Sequence, residues 1–598
     1  MSARRRTASL SVVLPLFCLL AAPLLAQSPA TPADLILTNA RIYTADSADR
    51  FVTSLAIRDG RIFWLGSAPI PATLSGPKTQ LRDLHGAFLM PGLIDGHMHP
   101  LEAGTKLLEC NLDYLPLTIP HFQQRIQACL NADTKATPDT PLPVVAWFQQ
   151  AMLPEGIKTS RLTLDALETT RPILVTDSFG HTVLVNSRAL ALAHITAASK
   201  DPLGGIIEHE PDGQPSGLLQ DSASDPVYAL LPTPTPAQNN HAALAAHKAV
   251  AAQGGTSVLD ADATEDDLAA FTSASANHQL TARAHFAMHI EPAEADHPEL
   301  PVARILGFRA KYDQGPLTPT PSITVRNAKM YMDGVISGPA FTGAMLEPYL
   351  VNTGTPGHPA FTPGTRGPDP YYPPARLAAL LTALAKAGID PHLHVDGDRA
   401  VHEALDAVAA MRQALPTADI RPGFAHCEIV APADYPRFRQ LGVYPALSMQ
   451  WEKQAPDTLD QLRDYMGPTR AQLLEPAGVL LQAGAPVAFG SDWPVDPLNE
   501  WFALKVGVTR LNDPAAGEKY TSRLGSDPGL TVLQALRAST ITAAAEIHQD
   551  AVSGSLEPGK FADIILLDRD PFAIAPIDLA HIRVLETIVG GRTVYTAP

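Results

Sequence analysis

The stretch Leu89-Met90-Pro91-Gly92-Leu93-Ile94-Asp95-Gly96-His97-Met98-His99-Pro100 places two histidines at the end of a short apolar run. Side chains at positions i and i+2 of a β-strand point to the same side of the strand. His97 and His99 can therefore direct two imidazoles at one point, as a metal ion requires. An isolated His-x-His is more often a pair of structural histidines, so the interpretation depends on the rest of the chain.

The middle of the chain alternates segments that predict strands with segments that predict helices. The predicted strands are residues 93–99, 256–261, 283–289, 326–334, 390–395, 423–428, 444–450 and 487–492. The predicted helices are residues 241–253, 376–387, 398–415 and 459–483. This alternation predicts an α/β fold with a (β/α)8 barrel over residues 91–544. An insertion at about residues 101–250 follows the first strand, and we expect it to cover the barrel mouth and shape a substrate pocket.

The two ends of the chain differ from the middle, because short alternating segments there are separated by turn residues. Residues 27–90 and 545–598 both show this pattern, for example in Leu35–Tyr43 and Gly559–Asp568. Such patterns predict short β-strands. We therefore expect one small β-sandwich domain that is built from both termini, with the barrel inserted between its halves.

Composition and the N-terminus limit the partners and the location. With 598 residues, 45% of them hydrophobic and 18% charged, the chain is long enough for more than one globular core. Its formal net charge of −17 argues against a nucleic-acid partner. Arg4-Arg5-Arg6 precedes the apolar stretch 10–25, which is typical of a signal peptide over residues 1–26, although an ordinary buried helix is the alternative.

Export has consequences for the mature protein. We expect a periplasmic or secreted protein that acts on a small molecule and has no membrane attachment after the signal is removed. Export also permits a Cys110–Cys129 disulfide, which sequence alone does not show. The sequence leaves the oligomeric state open and allows a homodimer.

Polar residues occupy the ends of several predicted strands, where the reactive side chains of a (β/α)8 barrel lie. Packing alone explains one such residue easily, but it does not explain six of them at five strand ends. These candidate metal ligands are His97, His99, Lys329, His394, His426 and Asp492.

This set of residues suits metal-dependent hydrolysis. Imidazole and carboxylate ligands together favour Zn²⁺ or a similar ion, and the number of bound ions, one or two, stays open. Lys329 lies in an apolar strand, where its pKa falls, so its amine can react with carbon dioxide to form an N6-carboxylated lysine that bridges two metals. Metal-activated hydroxide then attacks a carbonyl, and Asp492 passes the water proton to the leaving nitrogen.

The ordered motifs resemble those of a known family. The motifs are Pro91–His99, Lys329 with Asp333-Gly334, His394–Ala400, His426, Gly490–Pro494 and Gly554–Asp563. Together they are similar to the amidohydrolase superfamily, in its amidohydrolase-3 group, which includes the YtcJ-like proteins and N-substituted formamide deformylase. The resemblance implies that the six candidate ligands take the metal and catalytic positions, and it implies the same barrel and sandwich.

Several positions depart from that pattern or leave a choice. Related sequences often carry Gln-Pro-x-His where this chain has Gln450-Trp451-Glu452-Lys453, and Asp396 replaces an apolar residue. His392 shares a strand face with His394 and is the alternative ligand. The residues that we expect to contact substrate are His181, Asp333, Trp451 and Lys453, although His181 and Asp333 are equally consistent with solvated loop or turn positions.

The sequence therefore predicts a metal-dependent hydrolase that acts on a carbon–nitrogen bond outside a peptide backbone, in an amide, N-acyl or N-formyl group. Deamination or ester hydrolysis on the same scaffold is the alternative reaction. A non-catalytic ligand-binding barrel is the alternative from a different class, because a fold does not determine a reaction.

Overall fold

The computed structural model describes residues 32–154, 156–178, 180, 182–202, 205–338, 340–355 and 358–598. The predicted signal peptide over residues 1–26 and the candidate residue His181 lie outside these residues.

Eight parallel strands form one sheet in chain order. They are β1 (Leu93–Met98), β2 (Gly255–Ala263), β3 (Arg283–His289), β4 (Ile323–Tyr331), β5 (Asp390–Val395), β6 (Gly423–His426), β7 (Tyr444–Leu447) and β8 (Ala488–Phe489). Every predicted strand is confirmed, although β4 begins three residues earlier than predicted and β8 is much shorter. All their C-terminal ends lie at one end of the sheet, where the polar residues were predicted to meet.

Backbone contacts beyond β8 bring the sheet close to closure. The N–H of Asp492 donates to the carbonyl of His97 at 2.7 Å, and the N–H of His99 donates to the carbonyl of Trp493 at 2.8 Å. The buried carboxylate of Asp95 accepts from the N–H groups of His97 and Ser491, each at 3.0 Å. The last segment of the barrel is therefore fixed against the first by the residues that surround the two histidines.

Helices follow most strands and pack outside the barrel. Residues on opposite sides of one strand belong to different clusters: Phe286 of β3 packs in the large core with the helices, whereas Ala287 packs with Ile94 and Ala488. Helices on the described chain are Pro100–Leu108, Ile119–Ala132, Arg161–Asp165, Ser187–Leu192, Asp225–Tyr228, Pro236–Gln253, Glu265–Ala276, Glu299–Tyr312, Pro374–Lys386, Asp398–Ala414, Tyr435–Leu441, Arg463–Arg470, Ala477–Gln482, Glu500–Thr509, Val532–Arg537 and Ala543–Glu546. In the part of the chain that is described, none of them has the length and apolar character that a bilayer crossing needs.

One predicted helix, over residues 459–483, is wrong. Separate short helices occupy this region, and the helix Arg463–Arg470 is itself kinked where Gly467 adopts φ 76°. Pro468 follows that glycine, and a proline inside a helix removes a backbone donor and clashes with the preceding turn. Pro476 then precedes the final helix, Ala477–Gln482. The apolar spacing suggested one helix, but glycine and proline divide it.

Two sheets form the predicted sandwich. The first sheet contains, in spatial order, Arg61–Gly66, Ser54–Arg58, Leu35–Thr38 and Gln80–Asp83. The second contains Arg592–Thr596, Val584–Val589, Ile564–Leu567, Phe88–Pro91, Arg41–Tyr43 and Phe51–Val52. Within it Ile564–Leu567 pairs antiparallel with Phe88–Pro91, so both ends of the chain build one sheet, as predicted. The domain boundaries at residues 26, 90 and 544 stay predictions.

The insertion after β1 contains a sheet of its own. In spatial order its strands are Gly205–His209, Pro215–Asp221, Thr182–Val185, Ile173–Asp177, Leu142–Trp147 and Cys110–Asn111. A Cys110–Cys129 disulfide ties the last of these strands to the helix Ile119–Ala132, with 5.8 Å between the two Cα atoms. The Tyr114 hydroxyl donates to the carbonyl of Pro494 at 2.7 Å. The insertion therefore contacts the loop that follows Asp492, on the side of the barrel that carries the candidate ligands.

Candidate metal centre

Two groups of potential metal ligands lie at the C-terminal ends of the barrel strands. In the first group, Oδ1 of Asp492 lies 3.3 Å from Nε2 of His97 and 3.1 Å from Nε2 of His99. In the second group, one donor atom from each of His394, Asp396 and His426 lies within 4.8 Å of the others. The two groups are adjacent, because the ring centroids of His97 and His426 are 4.8 Å apart.

Buried polar atoms without partners show that these residues fit a cation. Among the described residues, Nε2 of His97, Nδ1 of His426 and Oδ1 of Asp396 are buried and make no hydrogen bond. Buried polar groups in proteins are almost always paired, so a set of unpaired ones in one place requires an explanation. Ring nitrogens and carboxylate oxygens are the ligands that zinc and similar divalent ions prefer, so the donor set fits such an ion.

Lys329 lies on β4, in register with His289 of β3 and His392 of β5, and is fully buried. Its Nζ has no hydrogen-bond partner among the residues described, and it lies 4.5 Å from the centroid of the Tyr331 ring. Burial lowers the pKa of Lys329, although the carboxylates of Asp262 and Asp492 act in the opposite direction. A lysine in this state is a better nucleophile than an exposed one, because more of it is neutral.

Three of the four candidate imidazoles have a lowered pKa, which favours their neutral form. Burial lowers the pKa of His394 to about 4, with a further lowering by Lys329, and burial likewise lowers the pKa of His97 and of His426. A neutral imidazole has a free lone pair, which metal binding requires.

His99 differs: burial lowers its pKa, but the hydrogen bond with Asp492 and the charge of that carboxylate outweigh burial, so the pKa of His99 is raised overall. Burial raises the pKa of Asp492, but the hydrogen bond with His99 and the nearby positive charges outweigh it, so the pKa of Asp492 is lowered overall.

Two of the candidate ligands have an unusual backbone conformation. His426 has φ 72° and Asp492 has φ 53°, in the left-handed region that most side chains avoid. Such a residue costs about 1–3 kcal/mol and persists where the surrounding structure fixes it. At Asp492 the hydrogen bond from its N–H to the carbonyl of His97 supplies part of that restraint. The chain therefore leaves regular strand geometry where it presents these two side chains.

The choice between His392 and His394 is visible in their surroundings. The ring centroid of His394 lies 4.6 Å from that of His426, and its Nε2 lies 3.0 Å from the carbonyl oxygen of Gly334. His392 lies deeper in the barrel, with Nε2 2.7 Å from Nδ1 of His97. His394 thus lies with the second ligand group, and His392 contacts a ligand of the first group.

The predicted substrate residues differ in their surroundings. The ring of Trp451 is stacked on that of His426, with centroids 5.4 Å apart and planes 22° apart. Lys453 donates from Nζ to the carbonyl of Gln450 at 2.6 Å. The buried carboxylate of Asp333 accepts from three backbone N–H groups at 2.8 to 3.0 Å, which favours a role in shaping the loops around His394.

Sequence reasoning missed some residues of this site. The sequence marks Asp396 as a departure from the family pattern but does not identify it as a ligand. Asp262 and His289 end β2 and β3, and Oδ1 of Asp262 lies 2.6 Å from Nδ1 of His289, while the Tyr331 hydroxyl donates to Oδ2 of Asp262 at 3.1 Å. The sequence contains the signal that could have identified Asp262 and His289, because both are polar residues at the C-terminal ends of strands.

A cavity of about 350 Å³ lies beside His99, between the segments that follow β1 and β2. Glu102, Asp260, Asp262 and Asp267 are among the residues that line it. Its volume is at the lower end of the range found for small-molecule sites in proteins.

Comparison with known proteins agrees with this arrangement. The model of the amidohydrolase family matches residues 80–595. The chain is 27% identical to Protein LONG AFTER FAR-RED 3 of Arabidopsis thaliana, covering 94% of this chain and 92% of that protein. It is 25% identical to N-substituted formamide deformylase of Arthrobacter pascens (94% and 98% covered) and 25% identical to putative amidohydrolase YtcJ of Bacillus subtilis (93% and 98% covered).

A solved structure shares the fold. An uncharacterized metal-dependent hydrolase from Pyrococcus horikoshii superposes with a TM-score of 0.69 at 21% identity, covering 91% of this chain and 99% of that one. The match of the family model to most of the chain determines the assignment. The chain belongs to the amidohydrolase family and is a hydrolytic enzyme that acts on carbon–nitrogen bonds.

Proposed function

We propose that this enzyme uses a divalent metal, most simply zinc, to hydrolyse an amide, N-acyl or N-formyl group outside a peptide backbone. The observation that carries the proposal is the convergence of four imidazoles, one lysine and Asp492 at one end of the barrel, with unpaired ring nitrogens among them. The similarity to N-substituted formamide deformylase supports the choice of an amide-type bond.

The two ligand groups would hold the metal. His97, His99 and Asp492 would bind one ion, and His394 and His426 would bind a second, with Asp396 beside them. A divalent ion there would polarise a substrate carbonyl and make a water molecule more acidic.

The chain's own residues would then manage the proton. Asp492 is buried, its pKa is lowered, and it faces two histidines, so it is ionised at neutral pH and can accept a proton from the attacking water. The same carboxyl group would return that proton to the nitrogen that leaves, as a general acid. The ring of Trp451, stacked on His426, would form one wall of the substrate position and exclude water.

A panel of substrates tests the reaction. Protein reconstituted with Zn²⁺, Mn²⁺ or Co²⁺ would be assayed with N-formyl amines, N-acyl amines, simple esters and aminopurines. We expect turnover of the N-formyl or N-acyl compounds and loss of that turnover after chelation. Turnover of esters or aminopurines alone would contradict the proposed bond type, and no turnover of any compound by fully loaded protein would contradict catalysis.

We further propose that Lys329 is N6-carboxylated, so that its carbamate would be an additional ligand for the metal held by these residues. The support is its full burial among the ligands and the absence of a hydrogen-bond partner for Nζ among the described residues. A carbamate would replace an unpaired amine with a carboxylate, which metal ions bind readily.

Native mass spectrometry with bicarbonate, followed by metal analysis, tests the carbamate. We expect the added mass of one carbon dioxide, and we expect the Lys329→Met variant to lose it together with one of two ions. Lys505→Met is the matched control variant, because Lys505 is also buried but its Nζ donates to the carbonyl of Leu511. Full metal content and activity with an unmodified Lys329 would exclude the carboxylated lysine as a ligand.

We also propose that the mature enzyme acts outside the cytoplasm on a small molecule. The predicted signal peptide supports export, and so does the Cys110–Cys129 disulfide, because disulfides persist mainly in oxidising compartments. N-terminal sequencing of protein from a periplasmic or culture fraction should begin just after Ala26. Recovery of the intact N-terminus from the cytoplasmic fraction alone would contradict export.

A further inference from the structure

Behind His97, on the side away from Asp492, two more titratable side chains continue into the barrel. Nδ1 of His97 lies 2.7 Å from Nε2 of His392, and Nδ1 of His392 lies 3.5 Å from Oε1 of Glu546. His392 comes from β5, and Glu546 is the last residue of the short helix Ala543–Glu546. All three side chains are at most 1% exposed, so bulk water has no access to the space between them.

Metal binding at His97 determines the direction of these hydrogen bonds. Nε2 of His97 faces Asp492, so a metal ion there needs the lone pair of Nε2, and the ring proton must lie on Nδ1. That proton is donated to Nε2 of His392, which places the proton of His392 on its Nδ1, facing Glu546. The reverse order, with Glu546 donating, would put a proton on Nε2 of His97 and prevent binding.

We propose that Glu546 is a positioning residue that acts through His392 to hold His97 in the tautomer that binds metal. The inference rests on the proposed metal site at His97. Among the described residues, neither oxygen of Glu546 nor Nδ1 of His392 makes a hydrogen bond of normal geometry, so a small approach from 3.5 Å would satisfy both groups at once. Partners of this kind fix the orientation of metal-binding histidines, and they usually contact the ligand directly.

Two glycines provide the space for this pair. A Cβ atom at Gly423 would lie 2.4 Å from Nδ1 of His392 and 2.6 Å from Oε1 of Glu546, and a Cβ atom at Gly96 would lie 2.4 Å from Oε2 of Glu546. All three distances are far shorter than normal contacts. The close approach of Glu546 therefore explains why the motif that opens the first barrel strand has a glycine, Gly96, between Asp95 and His97.

Metal affinity measured against a chromophoric chelator tests the proposal with Zn²⁺. We expect His392→Phe and Glu546→Leu each to weaken zinc binding by about 10- to 100-fold, the usual loss for such partners. The double variant should bind no more weakly than His392→Phe alone, because Glu546 acts only through His392. In Glu546→Gln the amide oxygen still accepts from His392, so this variant should recover most of the affinity.

A second buried pair offers the matched control. Nε2 of His285, on β3, lies 2.6 Å from Nε2 of Gln549, and both residues are at most 1% exposed. His285→Phe and Gln549→Leu resemble the test variants in burial and in chain position, but these residues are not in contact with the ligand groups in the described structure. We expect them to lower the melting temperature of the metal-free protein and to leave the zinc affinity unchanged.

The outcomes separate this proposal from the proposed function. Unchanged zinc affinity in Glu546→Leu, or losses that add in the double variant, would overturn the positioning role and leave the reaction standing. Weakened affinity with no turnover of any substrate would support the positioning role and overturn only the reaction. Failure of the wild-type protein to bind a divalent ion would overturn both.

Discussion

Asp492 is a buried carboxylate, and its environment affects its pKa in two opposite directions. Burial alone would raise its pKa, but the hydrogen bond with His99 and the charges of His426, His99 and Lys329 outweigh burial and lower its pKa overall. Its left-handed backbone conformation and its contact with the carbonyl of His97 fix where the side chain points. In the proposed reaction this residue would both bind a metal ion and exchange a proton.

Asp492→Asn keeps the size and one oxygen ligand of the side chain but cannot carry a proton between water and the leaving nitrogen. We expect metal to remain bound and kcat to fall by at least 100-fold, the lower end of general acid–base contributions. Metal analysis and steady-state kinetics on the same sample check both parts. A variant that hydrolyses at the wild-type rate would exclude Asp492 as the proton carrier.

His247 predicts a pH dependence of stability. It is buried in the helix Pro236–Gln253, its Nδ1 accepts from the N–H groups of Thr281 and Ala282, and burial lowers its pKa from 6.5 to about 4. Below pH 6.5 the unfolded chain takes up a proton that the folded chain does not. His247 therefore contributes a loss of about 1.4 kcal/mol in stability per pH unit from pH 6.5 down to about pH 4, and no loss above pH 6.5.

Urea unfolding between pH 7.5 and about pH 4 checks this expectation. His247→Gln, which can still accept a hydrogen bond, should reduce the acid-induced loss of stability. Parallel curves for the wild type and His247→Gln would show that this histidine titrates normally in the fold.

At the scale of elements, a buried ion pair joins the barrel to the C-terminal sandwich segment. Nη1 of Arg283, on β3, lies 2.6 Å from Oδ2 of Asp563, and Oδ1 of the same carboxylate accepts from the N–H of Gly590. Arg283 has no exposed surface, and its remaining N–H groups donate to the carbonyls of Thr318 and Pro319. The pair therefore connects three segments that are far apart in sequence.

Removal of one partner should be costly. Asp563→Ala leaves the Arg283 charge buried and uncompensated, for which we expect a loss of about 3–5 kcal/mol in unfolding free energy. The exposed pair of Arg188 and Asp139, also 2.6 Å apart, is the control, and Asp139→Ala should cost less than about 1 kcal/mol. Equal effects in urea titrations of the two variants would contradict the proposed importance of burial.

The elements also show the limits of periodicity. The eight strands were predicted because each is a short apolar run bounded by turns, which is a local property of the sequence. The predicted helix over residues 459–483 was wrong because Gly467 and Pro468 interrupt a region whose apolar spacing alone is helical. Local conformational preference at two residues outweighed the spacing of the whole segment.

At the scale of the whole molecule, the insertion depends on its disulfide. Cys110 and Cys129 are 19 positions apart, and a crosslink over a loop of this size stabilises a fold by about 3 kcal/mol. The double variant Cys110→Ser, Cys129→Ser should unfold or be proteolysed within the insertion first, while the barrel remains folded. Cys427→Ala is the control, because Cys427 is a free cysteine in the main core. Identical proteolysis patterns with and without a reducing agent would contradict this role.

The sequence by itself determined the barrel, the two-ended sandwich and the set of six candidate ligands. These follow from local patterns, since strand alternation and a polar residue at a strand end are visible within a few positions. Only the tertiary structure placed His394 rather than His392 beside His426, grouped Asp396 with them, and brought Glu546 behind His392. Those contacts join residues separated by up to several hundred positions, and their distances depend on how the closed barrel packs rather than on any local preference.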